Sequence, residues 1–259
     1  MSASTWVLLR GLTREQGHWG AFPQTFAAAV PLAHVIALDL PGNGALHRER
    51  SPARVEAMTE HCRAALRARG VVPPYRLLAM SLGAMVAADW AARHAHELAA
   101  AVLINTSLRP FSPWHERLKP SSYVTLLRLM LTRPSARDAE LAVLCLTSRA
   151  PDRCAEVLDA WVALRRAHPV SAGNALRQLW AAARYRAPRI ALRVPMLLLT
   201  SAGDRLVHTR CSQALARRWG APIAVHPWAG HDLPLDDGEW VAEQVRQWLA
   251  RYWAPESSA

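Results

Sequence analysis

The sequence predicts an α/β fold: a mainly parallel sheet of about six strands, flanked by helices, with a helical segment inserted after the fourth strand. Three observations point to it. Along the first half of the chain, short apolar runs alternate with amphipathic stretches, the rhythm of strands joined by crossover helices. Apolar runs end in turn-rich clusters. Between about Leu108 and Arg189 the rhythm breaks: helical periods and prolines continue, but no strand-like run occurs. The 259 residues are 51% hydrophobic and 20% charged, well away from a disordered composition. A chain of this length buries roughly 70–75% of the surface its unfolded form exposes, so it needs no disulfide or metal staple.

Taken in order, Trp6-Val7-Leu8-Leu9 is a compact apolar run that suits a buried central strand. His34-Val35-Ile36-Ala37-Leu38 is the second strand and runs into Asp39-Leu40-Pro41-Gly42-Asn43-Gly44, dense in turn residues. A helix is expected next, with Ser51 as N-cap, Pro52 at the first helical position and Gly70 at its end. Its apolar positions Val55, Met58, Cys62 and Leu66 keep helical spacing. Tyr75 to Ala79 is the third strand and leads directly through Met80-Ser81-Leu82-Gly83 into a small-residue helix, Ala84 to about His94. Ala100 to Ile104, Pro195 to Thr200 and Ile223 to His226 are the remaining strands, and a final helix carries Val241, Val245 and Trp248 on one face. The expected division is a core of residues 1–107 and 190–259 with a helical cap over 108–189. Because Trp6 already lies in the first strand, there is no room for a preceding hairpin, and the sheet is expected to be wholly parallel.

The net charge of +11 is almost entirely arginine, Lys119 being the single lysine. The arginines are spread through alanine- and leucine-rich helical stretches and not interleaved with glycine or aromatics, so no nucleic-acid recognition motif stands behind the charge. From Leu108 to Arg189, fourteen Lys/Arg against six Asp/Glu give +8. Solvated arginines are one reading; an acidic carrier protein, or a carboxylated ester, is the other. Cys62, Cys145, Cys154 and Cys211 have no metal-ligand spacing and read as free thiols. No apolar stretch approaches the roughly 18–20 residues of a membrane span, and the first residues lack the form of a secretion signal. A soluble cytoplasmic protein is expected, with no metal and no organic cofactor implied.

The chemistry centres on Ser81. A nucleophile at a strand-to-helix junction needs a sharp turn with small residues two positions either side, the pattern G-x-S-x-G. Here it is Ala79-Met80-Ser81-Leu82-Gly83, with alanine at the first small position. A serine at such a junction equally suits a helix N-cap. Serine needs a base, and the base needs a carboxylate to hold its tautomer. Asp204 follows the fifth strand in Ala202-Gly203-Asp204-Arg205, and His231 follows the sixth in Ala229-Gly230-His231-Asp232. Alone, Asp204 reads as a turn aspartate and His231 as a cap of the last helix. Together with Ser81 they would meet at the carboxyl edge of the sheet, where open α/β sheets bind ligands.

With Leu38-Asp39-Leu40-Pro41-Gly42-Asn43-Gly44, the elbow at Ser81, the Gly203-Asp204 turn and Gly230-His231, the chain resembles the α/β-hydrolases over nearly its whole length. The similarity is to the small-esterase branch that includes pimeloyl-acyl-carrier-protein methyl ester esterases and related C–C hydrolases. That resemblance implies a Ser81–His231–Asp204 triad, a covalent acyl-enzyme and an ester or thioester substrate. It also implies an oxyanion hole from the backbone N–H groups of Leu82 and, by position, Leu12, where Arg10 replaces the usual histidine. Trp19 and Met80 are expected to touch the substrate. A C–C hydrolase with the same triad, and a silent scaffold of this fold, are the alternatives.

Overall fold

The computed structural model describes residues 4–132 and 134–252. Six strands form one sheet: β1 (Ser4–Leu9), β2 (Ala33–Leu38), β3 (Tyr75–Met80), β4 (Leu98–Ile104), β5 (Met196–Ser201) and β6 (Ile223–His226). Their order is β2-β1-β3-β4-β5-β6, and every neighbouring pair is parallel, as expected. The helices, in chain order, are α1 (Phe22–Ala29), α2 (Val55–Ala68), α3 (Leu82–Arg93), α4 (Trp114–Arg117), α5 (Tyr123–Leu131) and α6 (Ala136–Thr147). They continue with α7 (Pro151–Ala167), α8 (Ala172–Arg184), α9 (Thr209–Trp219), α10 (Leu233–Asp236) and α11 (Gly238–Tyr252). Helices α4 to α8 all fall between β4 and β5.

The period-two geometry of a strand sorts the core onto two faces. Trp6, Leu8, Leu78, Val102 and Leu199 pack with Phe22 and Phe26 of α1 and with Val241 and Val245 of α11. Val7, Leu9, Leu77, Leu103 and Leu198 pack with Met58, Cys62 and Leu66 of α2, Trp90 of α3 and Leu215 of α9. A sheet covered on both sides has no polar face, which is why its central strands read as unbroken apolar runs. The segment between β4 and β5 has a small core of its own, in which Leu144 of α6 meets Leu158, Trp161 and Val162 of α7.

Helix α2 departs from the expected start. It begins at Val55, one turn later than a Ser51 cap would place it. Ser51 is buried and committed elsewhere. Its hydroxyl donates to the Pro41 carbonyl at 2.6 Å and accepts from Gln178 Nε2 at 3.0 Å, while its N–H donates to Asn174 Oδ1 at 3.0 Å. The serine thus ties the loop after β2 to α8. The other end of α2 closes as expected: Gly70 takes φ +67°, and the Val71 N–H reaches back to the Leu66 carbonyl at 3.0 Å. No helix among the described residues is long and apolar enough to cross a membrane.

Candidate active site

Ser81 is the single residue between β3 and α3, at φ +53° and ψ −117°. That region is costly for a residue with a Cβ and persists only where surroundings impose it. Here the Ser81 N–H donates to Ile104 O at 3.0 Å, and its carbonyl accepts from Ala84 N and from Thr106 Oγ1, each at 3.1 Å. Ser81 stands at the N-cap position of α3, yet its side chain makes no capping hydrogen bond. Instead it lines a cavity of about 1280 Å³ at the carboxyl edge of the sheet.

The small residues around it have a steric reason. A Cβ on Gly83 would lie 2.5 Å from the Leu9 carbonyl oxygen and 2.6 Å from that of Arg10, so only glycine lets α3 begin against the end of β1. A Cβ on Gly11 would come within 3.0 Å of the Ser81 Cβ, which places the loop after β1 directly on the serine. Leu12 of that loop and Leu82 both line the cavity. The Leu82 N–H belongs to the first turn of α3, where helix geometry leaves donors without intrahelical acceptors. The loop itself is held from α8 by Gln178 Oε1, which accepts the Thr13 N–H at 2.8 Å.

His231 also lines the cavity, and its Nδ1 lies 2.7 Å from Asp204 Oδ2 with both side chains buried. The other carboxylate oxygen, Oδ1, accepts the N–H groups of Leu206 at 2.7 Å and Val207 at 2.9 Å. Both oxygens are therefore engaged and the carboxylate cannot swing. Lys119 Nζ donates to the Asp204 carbonyl. The two loops approach so closely that a Cβ on Gly203 would lie 2.1 Å from the Trp228 carbonyl oxygen. The structure brings Ser81 and His231 to one cavity and sets Asp204 behind the imidazole.

Asn105 belongs to the site without having been singled out in the sequence, and Arg10 acquires a partner there that the sequence did not assign it. Asn105 follows β4 with φ +45° and is fully buried. Its Nδ2 donates to Ser201 Oγ at 3.0 Å, His231 O at 2.9 Å and Gly230 O at 3.2 Å, while its Oδ1 accepts from Ser201 N at 2.9 Å. One side chain thereby joins the ends of β4, β5 and the histidine loop; the only sequence signal is an asparagine straight after a strand. Arg10 forms a two-pronged pair with Asp232, at 3.0 and 2.5 Å, with both side chains buried. Asp232 is thus committed to Arg10, although it adjoins His231 in the chain.

Of the two expected substrate contacts, Met80 lines the cavity and Trp19 does not. Residues Gln16–Trp19 form a short 3₁₀ turn that carries the indole into the core, where it stacks on Phe22 at 5.4 Å beneath the Arg10 guanidinium. On the same side of the cavity, Arg14 and Arg165 share Glu140, at 2.6 and 2.5 Å, and Arg14 also sits 4.6 Å over the Trp161 ring. Burial, reinforced by Arg14 and Arg10, drives the His18 imidazole far below its ordinary pKa and keeps it neutral. His168 meets Glu15 at 2.9 Å, a carboxyl that burial pushes above its usual range.

A family model described as serine aminopeptidase, S33 (Hydrolase_4), matches residues 7–237. The chain belongs to this family. It is an enzyme of the α/β-hydrolase type, and relatives with this fold are named as esterases and lactonases. The pimeloyl-[acyl-carrier protein] methyl ester esterase of Aromatoleum aromaticum is 31% identical over 228 residues, covering 82% of this chain and 84% of that one. Among solved structures, a thermophilic esterase from Thermogutta terrifontis superposes with a TM-score of 0.74 at 21% identity, covering 96% of this chain and 90% of the other. The enol-lactonase from Burkholderia xenovorans LB400 gives 0.78 at 18% identity, covering 96% and 92%. Those two likenesses establish the α/β-hydrolase fold.

Proposed function

We propose that the protein hydrolyses a carboxylic ester or thioester through an acyl-enzyme on Ser81. One observation carries this reading. A serine held in a strained junction, with its hydroxyl unused by the helix it precedes, lines the same cavity as a histidine whose Nδ1 is bonded to a fully engaged aspartate. With Nδ1–H donating to Asp204, His231 Nε2 presents its lone pair as general base. Ser81 Oγ attacks the ester carbonyl as Nε2 takes its proton. The oxyanion is stabilised by the N–H groups of Leu82 and Leu12, each such donor contributing roughly 3–4 kcal/mol. The imidazolium then protonates the leaving alcohol, or thiol, and the acyl group stays on Oγ. Water, deprotonated by His231, attacks the acyl carbonyl, and Oγ leaves with the proton that Nε2 returns to it.

In this reading residues 108–189 act as a cap over a hydrolase core of 1–107 and 190–259, and Met80 contacts the substrate. The relative's carrier-protein ester, together with the +8 charge of residues 108–189, supports a substrate delivered on an acidic carrier. Turnover of a carrier-linked ester is then expected to fall as salt rises, and a flat salt profile removes the carrier from the reading. The four free cysteines support a reducing, cytoplasmic setting.

Hydrolysis of short and medium p-nitrophenyl esters by the wild type beside Ser81→Ala is the direct test. Loss of turnover by about 10⁶-fold is expected when the nucleophile of a triad is removed. A fluorophosphonate probe is expected to label the wild type at Ser81 and leave the variant unmodified. Equal turnover, or equal labelling, in both proteins would refute the mechanism.

A further inference from the structure

The charged side chains that line the cavity divide into two sets. Beside the β1 loop and helices α6 and α7, every arginine has an acid: Arg10 lies on Asp232, and Arg14 and Arg165 lie on Glu140. The opposite set comes from the chain after β4 and the chain after α8. Arg109, Arg117 and Arg186 line the cavity there, and none of them forms an ion pair with a described residue. Glu116, the acid next to Arg117 in sequence, turns instead to Arg210 at 3.6 Å.

These arginines are held together by the backbone. Arg109 and Arg186 occupy paired positions, with the Ala187 N–H on the Arg109 carbonyl at 2.8 Å. Arg109 and Arg117 both point at the Ala183 carbonyl, at 3.4 and 3.3 Å, and Arg117 reaches Ala182 O at 2.7 Å. Those carbonyls end α8, whose dipole supplies only about half a negative charge against the cluster. The Arg117 Nε is buried with no hydrogen-bond partner among the described residues. Burial first, and the neighbouring Arg109 second, lower the Arg117 pKa to about 10. Leu118, Leu126, Leu129 and Leu179 contribute apolar wall to the same cavity, suited to an aliphatic spacer.

We propose that Arg109, Arg117 and Arg186 form an anion-binding subsite of the Ser81 cavity, so that the preferred ester carries a carboxylate or phosphate away from its scissile bond. Planar guanidinium forks match both oxyanions in geometry. The proposal rests on the hydrolase reading for its substrate, but its binding test does not.

The experiment compares three p-nitrophenyl esters of equal chain length, ending in methyl, carboxylate or phosphate. The readout is the ratio of kcat/KM on each charged ester to that on the neutral one. The wild type is expected to favour a charged ester, and the better of the two identifies the natural anion. Arg109→Gln/Arg186→Gln is expected to lower that ratio about tenfold, mainly through KM, as loss of a charge-assisted contact should. Arg217→Gln, which removes an exposed charge on α9 outside the cavity, is expected to keep the wild-type ratio. In parallel, calorimetry follows adipate or inorganic phosphate binding to Ser81→Ala, with and without the double substitution. Binding abolished by that substitution supports the subsite even if Ser81 proves not to be the nucleophile. A ratio near one in the wild type, a ratio that Arg217→Gln lowers equally, or no anion binding at all would overturn it.

Discussion

At the carboxyl edge of the sheet, buried polar side chains come in closed pairs: Arg10 with Asp232, and His231 with Asp204. In the segment between β4 and β5, Arg109, Arg117 and Arg186 line the same cavity and form no ion pair with a described residue. The two regions meet different physical demands. Groups that must hold one geometry through a reaction need their charges paired, because an unpaired buried charge is costly and moves to find a partner. Groups that recognise an incoming anion need the reverse, since a cation already paired has little electrostatic gain left to offer. The backbone follows the same division. Ser81 and Asn105 hold positive φ on the sheet side because surrounding strands impose it, whereas Arg109 and Arg117 are held chiefly by the last carbonyls of α8.

Substitutions on the closed side should sharpen this contrast. The largest effect is expected from Asp204→Asn. Asparagine can keep the space and the backbone contacts from Leu206 and Val207, but it favours the wrong imidazole tautomer, so turnover should fall about 10⁴-fold while the melting temperature is nearly kept. Ester kinetics beside a thermal melt check this; near-normal turnover would mean that Asp204 does not orient His231. Asp232→Ala comes next, because it leaves the Arg10 guanidinium buried and unpaired. Urea unfolding should show a loss of about 3–5 kcal/mol, and Arg10→Met/Asp232→Leu should recover most of it. If Asp232→Ala costs no more than an exposed substitution, the pair is not part of what holds the edge together.

Gly203→Ala is expected to cost about 1–3 kcal/mol, the range for overpacking, since its Cβ would lie 2.1 Å from the Trp228 carbonyl oxygen. Turnover should fall with it, because the acid loop and the histidine loop must separate to make room. Denaturation and p-nitrophenyl ester kinetics on one sample test both halves. A stable and fully active variant would show that the loops need not touch.

Much of the sheet was legible from sequence because its strands are buried on both faces. Trp6 to Leu9, Ala100 to Ile104 and Met196 to Thr200 carry no polar alternation to confuse them with half-exposed strands or with amphipathic helices. The Ser81 junction was legible because strand, turn and helix follow each other without a gap. Ser51 misled for the opposite reason: the pair Ser51-Pro52 has the local chemistry of a helix start, and distant partners, Asn174 and Gln178, claimed the serine first. Trp19 misled because its nearness in sequence to the oxyanion loop says nothing about which way a 3₁₀ turn will carry the ring.

What the sequence determined by itself was the order of the six strands, the helices that became α2, α3 and α11, and the placing of Ser81, Asp204 and His231 on loops after β3, β5 and β6. These depend on local periodicity and turn chemistry, which are written within a few residues of one another. Only the tertiary structure decided who pairs with whom. Asn105 reaches residues 96 and 126 positions away, and Arg10 meets Asp232 across 222. That Arg109, Arg117 and Arg186 form no ion pair with a described residue was decided the same way. Such partnerships depend on which groups folding leaves within a few ångströms of each other in a medium too poor in water to solvate an unpaired charge, and no local stretch of sequence carries that information.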